Sequence, residues 1–251
     1  MRILVANDDG IHAPGLKVLE TIARQLSKDV WVVAPETEQS GASHSLTLTS
    51  PLRVRRIKPK RFAVSGTPTD CVMMAINQIM AKSLPDLVLS GVNRGSNMGE
   101  DVTYSGTVAA AMEATLLGVP AIALSQVMMH GEPVKWSTAA DHGAKVIRRL
   151  LKAGWPKGTL INVNFPNVPS DQVQGVSVCA QGQRDQTELA IDARLDARNV
   201  PYYWLGFRRS NATYAETVDL GAAARGFISV TPLHVDLTHR PTLTALRKAL
   251  G

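Results

Sequence analysis

Arg2-Ile3-Leu4-Val5-Ala6-Asn7-Asp8-Asp9-Gly10 joins an unbroken apolar run to a cluster of turn residues. Such a run, without a breaker, reads as a strand buried on both faces, as in a parallel sheet. Asn7-Asp8-Asp9-Gly10 stops it, and His12-Ala13-Pro14-Gly15 prolongs the loop. In an open α/β sheet this is the carboxyl end of a strand, where ligands bind. Two adjacent carboxylates there repel each other and resist desolvation unless a cation lies between them.

Outward from this point the chain alternates helices and strands. Leu16, Leu19, Ile22, Ala23 and Leu26 recur at helical spacing, so Gly15 to Ser27 forms a helix over one sheet face. Val30 to Ala34 is a second buried strand, ended by Pro35. A polar loop from Glu36 to Ser45 follows, in which Ser40-Gly41 offers a hydroxyl and backbone N–H groups to the first loop. Leu46 to Ile57 and Phe62 to Val64 alternate and suggest a hairpin carrying the basic run Arg53 to Arg61. Thr67-Pro68-Thr69-Asp70 starts a helix reaching about Lys82, with Asp70 as the cap partner of Thr67.

Leu87-Val88-Leu89 is the next strand, and Gly91-Val92-Asn93-Arg94-Gly95-Ser96-Asn97-Met98-Gly99 follows it as a loop. Its glycines permit close backbone approach and its amides supply neutral oxygens and N–H donors. It is neither a dinucleotide fingerprint nor a Walker A loop, since no helix opens directly and no Gly-Lys-Ser/Thr follows. Tyr104-Ser105-Gly106-Thr107 then feeds an Ala-rich helix, whose free N–H groups and dipole favour an anion; Ser105 is also its natural N-cap. Gly118 ends that helix. Ala121 to Leu124 and Leu160 to Val163 are strands flanking a helix from Trp136 to Ala153. Beyond Pro166 the pattern changes. Val176 to Ala180, Tyr202 to Phe207 and Phe227 to Val230 are β-like, and with the polar tract from Gln181 to Asn199 they suggest an extension or arm for oligomer contacts. Pro241 opens a short terminal helix.

Composition sets the class. The 251 residues, 45% hydrophobic and 19% charged, suit one large soluble α/β domain. No stretch is long enough to span a bilayer, and Met1 directly before the first strand leaves no room for a signal peptide. Cys71 and Cys179 lack metal-ligand spacing. A cytoplasmic, disulfide-free protein is expected. The formal charge of +6 implies attraction to anions. Aromatic residues are only 5% and do not interleave the basic run, so a stacking surface for bases is not indicated.

Three strand ends converge in principle: Asp8 and Asp9, Ser40, and Asn93 with Asn97. Every donor is an oxygen or an amide, and no Cys or His cluster offers a zinc cage. Oxygen-rich sites suit Mg²⁺, Mn²⁺ or Ca²⁺. An ion there would relieve the Asp8–Asp9 repulsion, recruit a phosphate dianion and activate water, while Ser105-Gly106-Thr107 held phosphate oxygens. Asp8 and Asp9 are the candidate catalytic residues: both would anchor the ion, and one of them, Asp9 in this reading, would also orient or deprotonate that water. Phosphomonoester hydrolysis fits these parts better than hydride transfer or kinase chemistry. A reading of another class is a basic nucleotide- or nucleic-acid-binding module without turnover, resting on the Arg53–Arg61 run and the Ser105 anion site.

Taken together, Asn7-Asp8-Asp9-Gly10 with His12-Ala13-Pro14-Gly15, Ser40-Gly41, Gly66-Thr67-Pro68-Thr69-Asp70-Cys71, the Gly/Asn repeat and Tyr104 to Glu113 resemble the survival protein SurE family. The likeness continues more loosely through Tyr202 to Gly206 and Ser229 to Leu233. The resemblance implies a Rossmann-like, mostly parallel sheet flanked by helices, with a C-terminal exchanged arm at about 181–240 and a dimer or tetramer. It also implies a metal-dependent 5'/3'-nucleotidase, with exopolyphosphatase activity in some members. Its metal ligands fall on Asp8, Asp9, Ser40 and Asn93, for one Mg²⁺ or Mn²⁺ per subunit. Its phosphate-binding positions fall on Asn97, Ser105, Gly106 and Thr107. Nucleoside monophosphates, and polyphosphate as a further class, are the implied substrates; no membrane or specific nucleic-acid partner is expected. Two stretches depart from the family pattern. Glu36-Thr37-Glu38-Gln39 stands where many members carry a basic residue next to the serine, and Asp196-Ala197-Arg198-Asn199 replaces a Pro- and Gly-containing turn.

Overall fold

The computed structural model describes residues 1–129, 131–184, 189–207 and 213–251. In chain order the first elements are β1 (Arg2–Ala6), α1 (Pro14–Leu26), β2 (Asp29–Pro35), β3 (Val54–Lys58), β4 (Arg61–Val64), α2 (Pro68–Met74), β5 (Leu87–Arg94) and α3 (Gly106–Leu116). They are followed by β6 (Ala121–Gln126), α4 (Trp136–Ala153), β7 (Thr159–Phe165), β8 (Gly175–Val178), β9 (Leu189–Leu195), β10 (Pro201–Phe207), α5 (Asp219–Ala224), β11 (Phe227–His234) and α6 (Arg240–Leu250). Among the described residues, nine strands form one sheet in the order β3-β4-β2-β1-β5-β6-β7-β11-β8. From β4 to β7 every pair is parallel, while β3 and β11 run antiparallel to their neighbours β4 and β7.

β1 lies in the middle and is buried on both faces, as its apolar run requires. Ile3 and Val5 pack with Leu16, Leu19 and Ile22 of α1 and with α4, whereas Leu4 and Ala6 pack with Val72 of α2 and Val108 of α3. That alternation is the two-residue period of a strand sorting side chains into two layers. The strand order changes direction at β1, with β2 on one side and β5 on the other. The crevice at such a switch point is where an open α/β sheet binds ligands.

Several expectations are corrected here. Only Val54–Lys58 of the proposed 46–57 strand pairs with β4; Leu46 and Leu48 are exposed, with no partner strand to use their alternation. β5 does not stop at Leu89 but continues to Arg94, because its pairing with β6 resumes at Asn93–Ser125 after a register shift. Helix α2 has the expected Thr67–Asp70 capping box, then passes into a π-helical turn at Ala75–Ile79. The largest correction concerns the region after Pro166. β8 and β11 belong to the central sheet, and β11 pairs with β7 through Ser229–Asn164 and Val230–Val163. Only the antiparallel hairpin β9–β10 stands apart, so the separate part of the 181–240 arm narrows to about 189–207. Residues 185–188 and 208–212 of that expected arm lie outside the described residues. The hairpin closes on Asp196-Ala197-Arg198-Asn199: Asn199 takes φ 60°, and Asp196 Oδ1 accepts from the N–H groups of Arg198 and Val200. Asparagine tolerates that backbone, so the turn does not need the glycine.

Candidate active site

The carboxyl ends of β1, β2 and β5 meet as expected. The Gln39 N–H donates to the Asp8 carbonyl at 2.8 Å, tying the polar loop to the Asp-Asp turn. The Arg94 N–H donates to Asp9 Oδ2 at 3.2 Å, tying the end of β5 to the same turn. Asn7 sets the turn from inside, its Nδ2 donating to the Gly10 carbonyl at 3.0 Å.

Asp8 is buried at 4% exposure, whereas Asp9 is half-buried. The Thr107 hydroxyl donates to Asp8 Oδ1 at 2.5 Å. Burial, opposed by the Thr107 hydroxyl and reinforced by the charge of Asp9, pushes the Asp8 carboxyl up to about 6. Asp9 is also raised, chiefly by burial and further by Glu38, against the Arg94 N–H. No ion pair to either carboxylate is formed among the described residues.

Contact between Asp8 and α3 is close. A methyl group at Gly106 would lie 2.8 Å from Asp8 Cβ and 3.0 Å from Pro68 Cγ, so only glycine lets the helix start approach the carboxylate. Ser105 caps this helix, its Oγ accepting from the Val108 N–H at 3.0 Å. Its hydroxyl proton stays available to a ligand, as does the Gly106 N–H of the first helical turn, whereas the Thr107 N–H is a further donor to Asp8.

The remaining expected residues occupy three different settings. Ser40 is exposed and donates to Glu38 Oε1 at 2.8 Å. Asn93 is half-buried, and its Nδ2 donates to the Gly95 carbonyl at 3.0 Å, which leaves Oδ1 as the free ligand atom. Asn97 is buried: its Nδ2 donates to Ser125 Oγ, its N–H to Asn164 Oδ1, and its carbonyl accepts from Asn162 and Asn164. In this arrangement Asn97 anchors the turn to β6 and β7. Thr107 likewise spends its hydroxyl on Asp8.

A metal fits this donor set. Two carboxylates disfavoured in their ionised form share this crevice with loops that carry the neutral oxygens of Ser40 and Asn93, and no group of three or more His, Cys, Asp or Glu able to hold a metal ion exists among the described residues. That composition suits a hard divalent ion rather than zinc.

Sequence reasoning missed three supports. Asn162 and Asn164 share one face of β7, a spacing visible in the sequence as polar residues at i and i+2 of an apolar strand. Glu38 holds Ser40 and charges Asp9. His44 pairs with the buried Glu113 at 3.0 Å, and Ser43 bonds the Tyr104 and Thr103 carbonyls, so the polar loop is pinned to α3 and the turn before it. Three of the six basic side chains of the run form ion pairs among the described residues: Arg55 with Glu36, Lys60 with Asp29, and the buried Arg61, which also donates to the Ile11 carbonyl, with Glu20.

Comparison with known proteins gives one answer. The family model described as "Survival protein SurE" matches residues 3–188. A relative from Methylobacterium nodulans, named "5'-nucleotidase SurE", is 60% identical over the whole of both chains. One of the same name from Parvibaculum lavamentivorans is 56% identical over all of this chain and 91% of its own. The crystal structure of the SurE protein from Aquifex aeolicus superposes with a TM-score of 0.88 at 37% identity, covering both chains completely. The chain belongs to the survival protein SurE family.

Proposed function

We propose that the chain is a 5'-nucleotidase, a metal-dependent phosphomonoesterase releasing phosphate from nucleoside 5'-monophosphates. 3'-Monophosphates and short polyphosphate are further substrates in this reading. The observation that carries it is the seating of α3's first turn directly on Asp8, with Gly106 in contact with the carboxylate. A cation site and an anion-binding helix start thereby share one wall, which is what a phosphate dianion needs. The names of the full-length relatives support the same activity.

Asp8, Asp9, Ser40 and Asn93 are the residues that would hold one Mg²⁺ or Mn²⁺ per subunit. When bound, such an ion supplies Lewis acidity towards the phosphate and the attacking water. The chain's own residues do the rest. The Ser105 hydroxyl and the Gly106 N–H grip the phosphate oxygens, while Thr107 serves the site through its bonds to Asp8. Asn97 fixes the turn that carries them. The Thr107 hydroxyl holds Asp8 in one rotamer, and Asp9 orients the water and takes its proton as the new O–P bond forms and the ester P–O bond breaks, the nucleoside oxygen leaving as a hydroxyl with a proton from solvent.

The exposed β9–β10 hairpin, with Ile191, Tyr203, Trp204 and Leu205 all more than three-fifths exposed, serves a homodimer or homotetramer in this reading. No helix among the described residues is long and apolar enough to cross a membrane; work in the cytoplasm without a nucleic-acid partner belongs to the same proposed reading. The test is phosphate release from a panel of nucleoside monophosphates before and after EDTA, then with Mg²⁺ or Mn²⁺ restored. Release that stops and returns supports the reading. A folded protein that releases none under either metal is a nucleotide-binding module instead.

A further inference from the structure

The C-terminal part of the chain reaches back to the phosphate turn through a buried carboxylate. Asp219, the first residue of α5, has no exposed surface. Its Oδ2 accepts the Gly99 N–H at 2.9 Å, and its Oδ1 accepts the N–H groups of Gly182 and Leu220 at 2.8 Å each. Gly99 lies between Asn97 and Ser105, and Gly182 lies between β8 and the hairpin. A methyl group on Gly182 would fall 2.8 Å from Asp219 Oδ1, so this approach requires glycine.

A second set of bonds runs alongside. Gln181 Nε2 donates to the Gly99 carbonyl at 3.0 Å. The Arg184 N–H donates to Glu100 Oε2 at 2.8 Å, and its guanidinium grips both oxygens of Asp101, the shortest contact being 2.6 Å. Met98, Leu220 and Ala223 close a small apolar cluster beneath. Residues 95–105 contain only a short 3-10 segment at Gly99–Thr103, so no strand ladder fixes this turn. Its position depends on what grips it from outside.

We propose that Asp219 and the Arg184–Asp101 pair are positioning residues for the phosphate turn, so that the seating of the hairpin's base sets how well residues 97–107 hold the substrate's phosphate. This rests on the proposed phosphate role of that turn. None of the three touches substrate. In Asp219→Asn the side-chain oxygen can keep Gly182 and Leu220, while the new NH₂ faces the Gly99 N–H and loosens that link alone.

The experiment compares the full-length parent, Asp219→Asn, Arg184→Glu, Asp101→Arg and the Arg184→Glu/Asp101→Arg double variant. Three quantities are read: KM for a nucleoside 5'-monophosphate, the dissociation constant of inorganic phosphate by calorimetry with Mg²⁺, and Mn²⁺ affinity. The single variants should raise KM and the phosphate constant together by about tenfold, the scale of a typical coupling between sites. Mn²⁺ affinity should hold within about twofold, and the double variant should recover most of the loss because the charges again pair. A merely structural role lowers kcat through a smaller active fraction and leaves KM alone; that result, or a double variant no better than Arg184→Glu, overturns the proposal. A parent that binds phosphate without turnover refutes the nucleotidase reading but leaves the clamp to be judged on phosphate affinity. Binding of neither refutes both.

Discussion

Asp8 has to be ionised to hold a cation, yet it is buried beside a second carboxylate, and the Thr107 hydroxyl with the backbone N–H groups of Asp8 and Thr107 compensates only in part. Its proton is bound more tightly in the folded chain, at about 6 against an ordinary value of 3.8. The sign follows from linkage. A raised folded-state pKa means that ionisation costs stability as pH rises from about 4 through 6, and the cost is complete above that window. Asp8→Asn should therefore raise the melting temperature of the metal-free protein at about pH 7.5, by roughly 1 to 3 kcal/mol of stability, with the gain vanishing near about pH 4. The same variant should lose most phosphate release. Mn²⁺ should stabilise the parent less as pH falls below about 6, since protons compete for the carboxylate; thermal melts across pH check both. Glu38 adds negative charge beside Asp9 where an anionic substrate must arrive. Glu38→Gln should lower KM for a nucleoside monophosphate by about two- to fivefold at low salt, an effect that shrinks as salt screens it. At this scale the sequence was most legible in the placement of Asp8 and Asp9 at the carboxyl end of β1, because an unbroken apolar run stopped by turn residues marks that strand end. It was least legible at Asn162 and Asn164, whose partner, Asn97, is more than 60 residues away.

The first turn of α3 is the element on which both halves of the site depend. Gly106→Ala would force the helix start off Asp8 and Pro68, because the added carbon meets Cβ and ring atoms that cannot give way cheaply. Overpacking of this kind costs about 1–3 kcal/mol, and a small displacement of a reacting group costs about a hundredfold in rate. The variant should thus show a lower melting temperature together with at least that loss in kcat/KM. Thr107→Val keeps the shape and removes the hydroxyl, so it should lower kcat/KM by about tenfold or more with little change in melting temperature. Capping chemistry and apolar period were enough to place α1, α3 and α4 within a few residues and to start α2 correctly, but not to show that α2 gives way to a π-helical turn after Met74. The end of β5 was not, because Gly91 to Gly95 carries turn residues while β6 supplies the bonds that keep it extended. Local preference yielded to a partner strand.

For the whole molecule, the alternation of β1, α1, β2 and the later βα units was sufficient to give a mostly parallel sheet, while the switch point at β1 is visible only in the strand order. The destination of β8 and β11 was hidden, since a short β-like run does not say which edge it will join. What remains outside the sheet is the hairpin, whose exposed Trp204, Tyr203 and Leu205 have no partner element in the described chain that buries them. Replacing residues 189–207 by a short Gly-Ser linker should leave the sheet folded and lower the solution mass measured by light scattering; an unchanged mass would remove the hairpin from the assembly. The central claim is that Asp8 and Asp9 form a cation site serving phosphate release. Its most direct test is calorimetric titration of Mn²⁺ into the metal-free parent and Asp8→Asn, with AMP hydrolysis followed on the same samples. One ion bound by the parent, none at the same concentration by a folded Asp8→Asn, and hydrolysis rising with occupancy is the predicted result. Hydrolysis by Asp8→Asn at the parental rate, or parental turnover with no Mn²⁺ or Mg²⁺ bound, would contradict it.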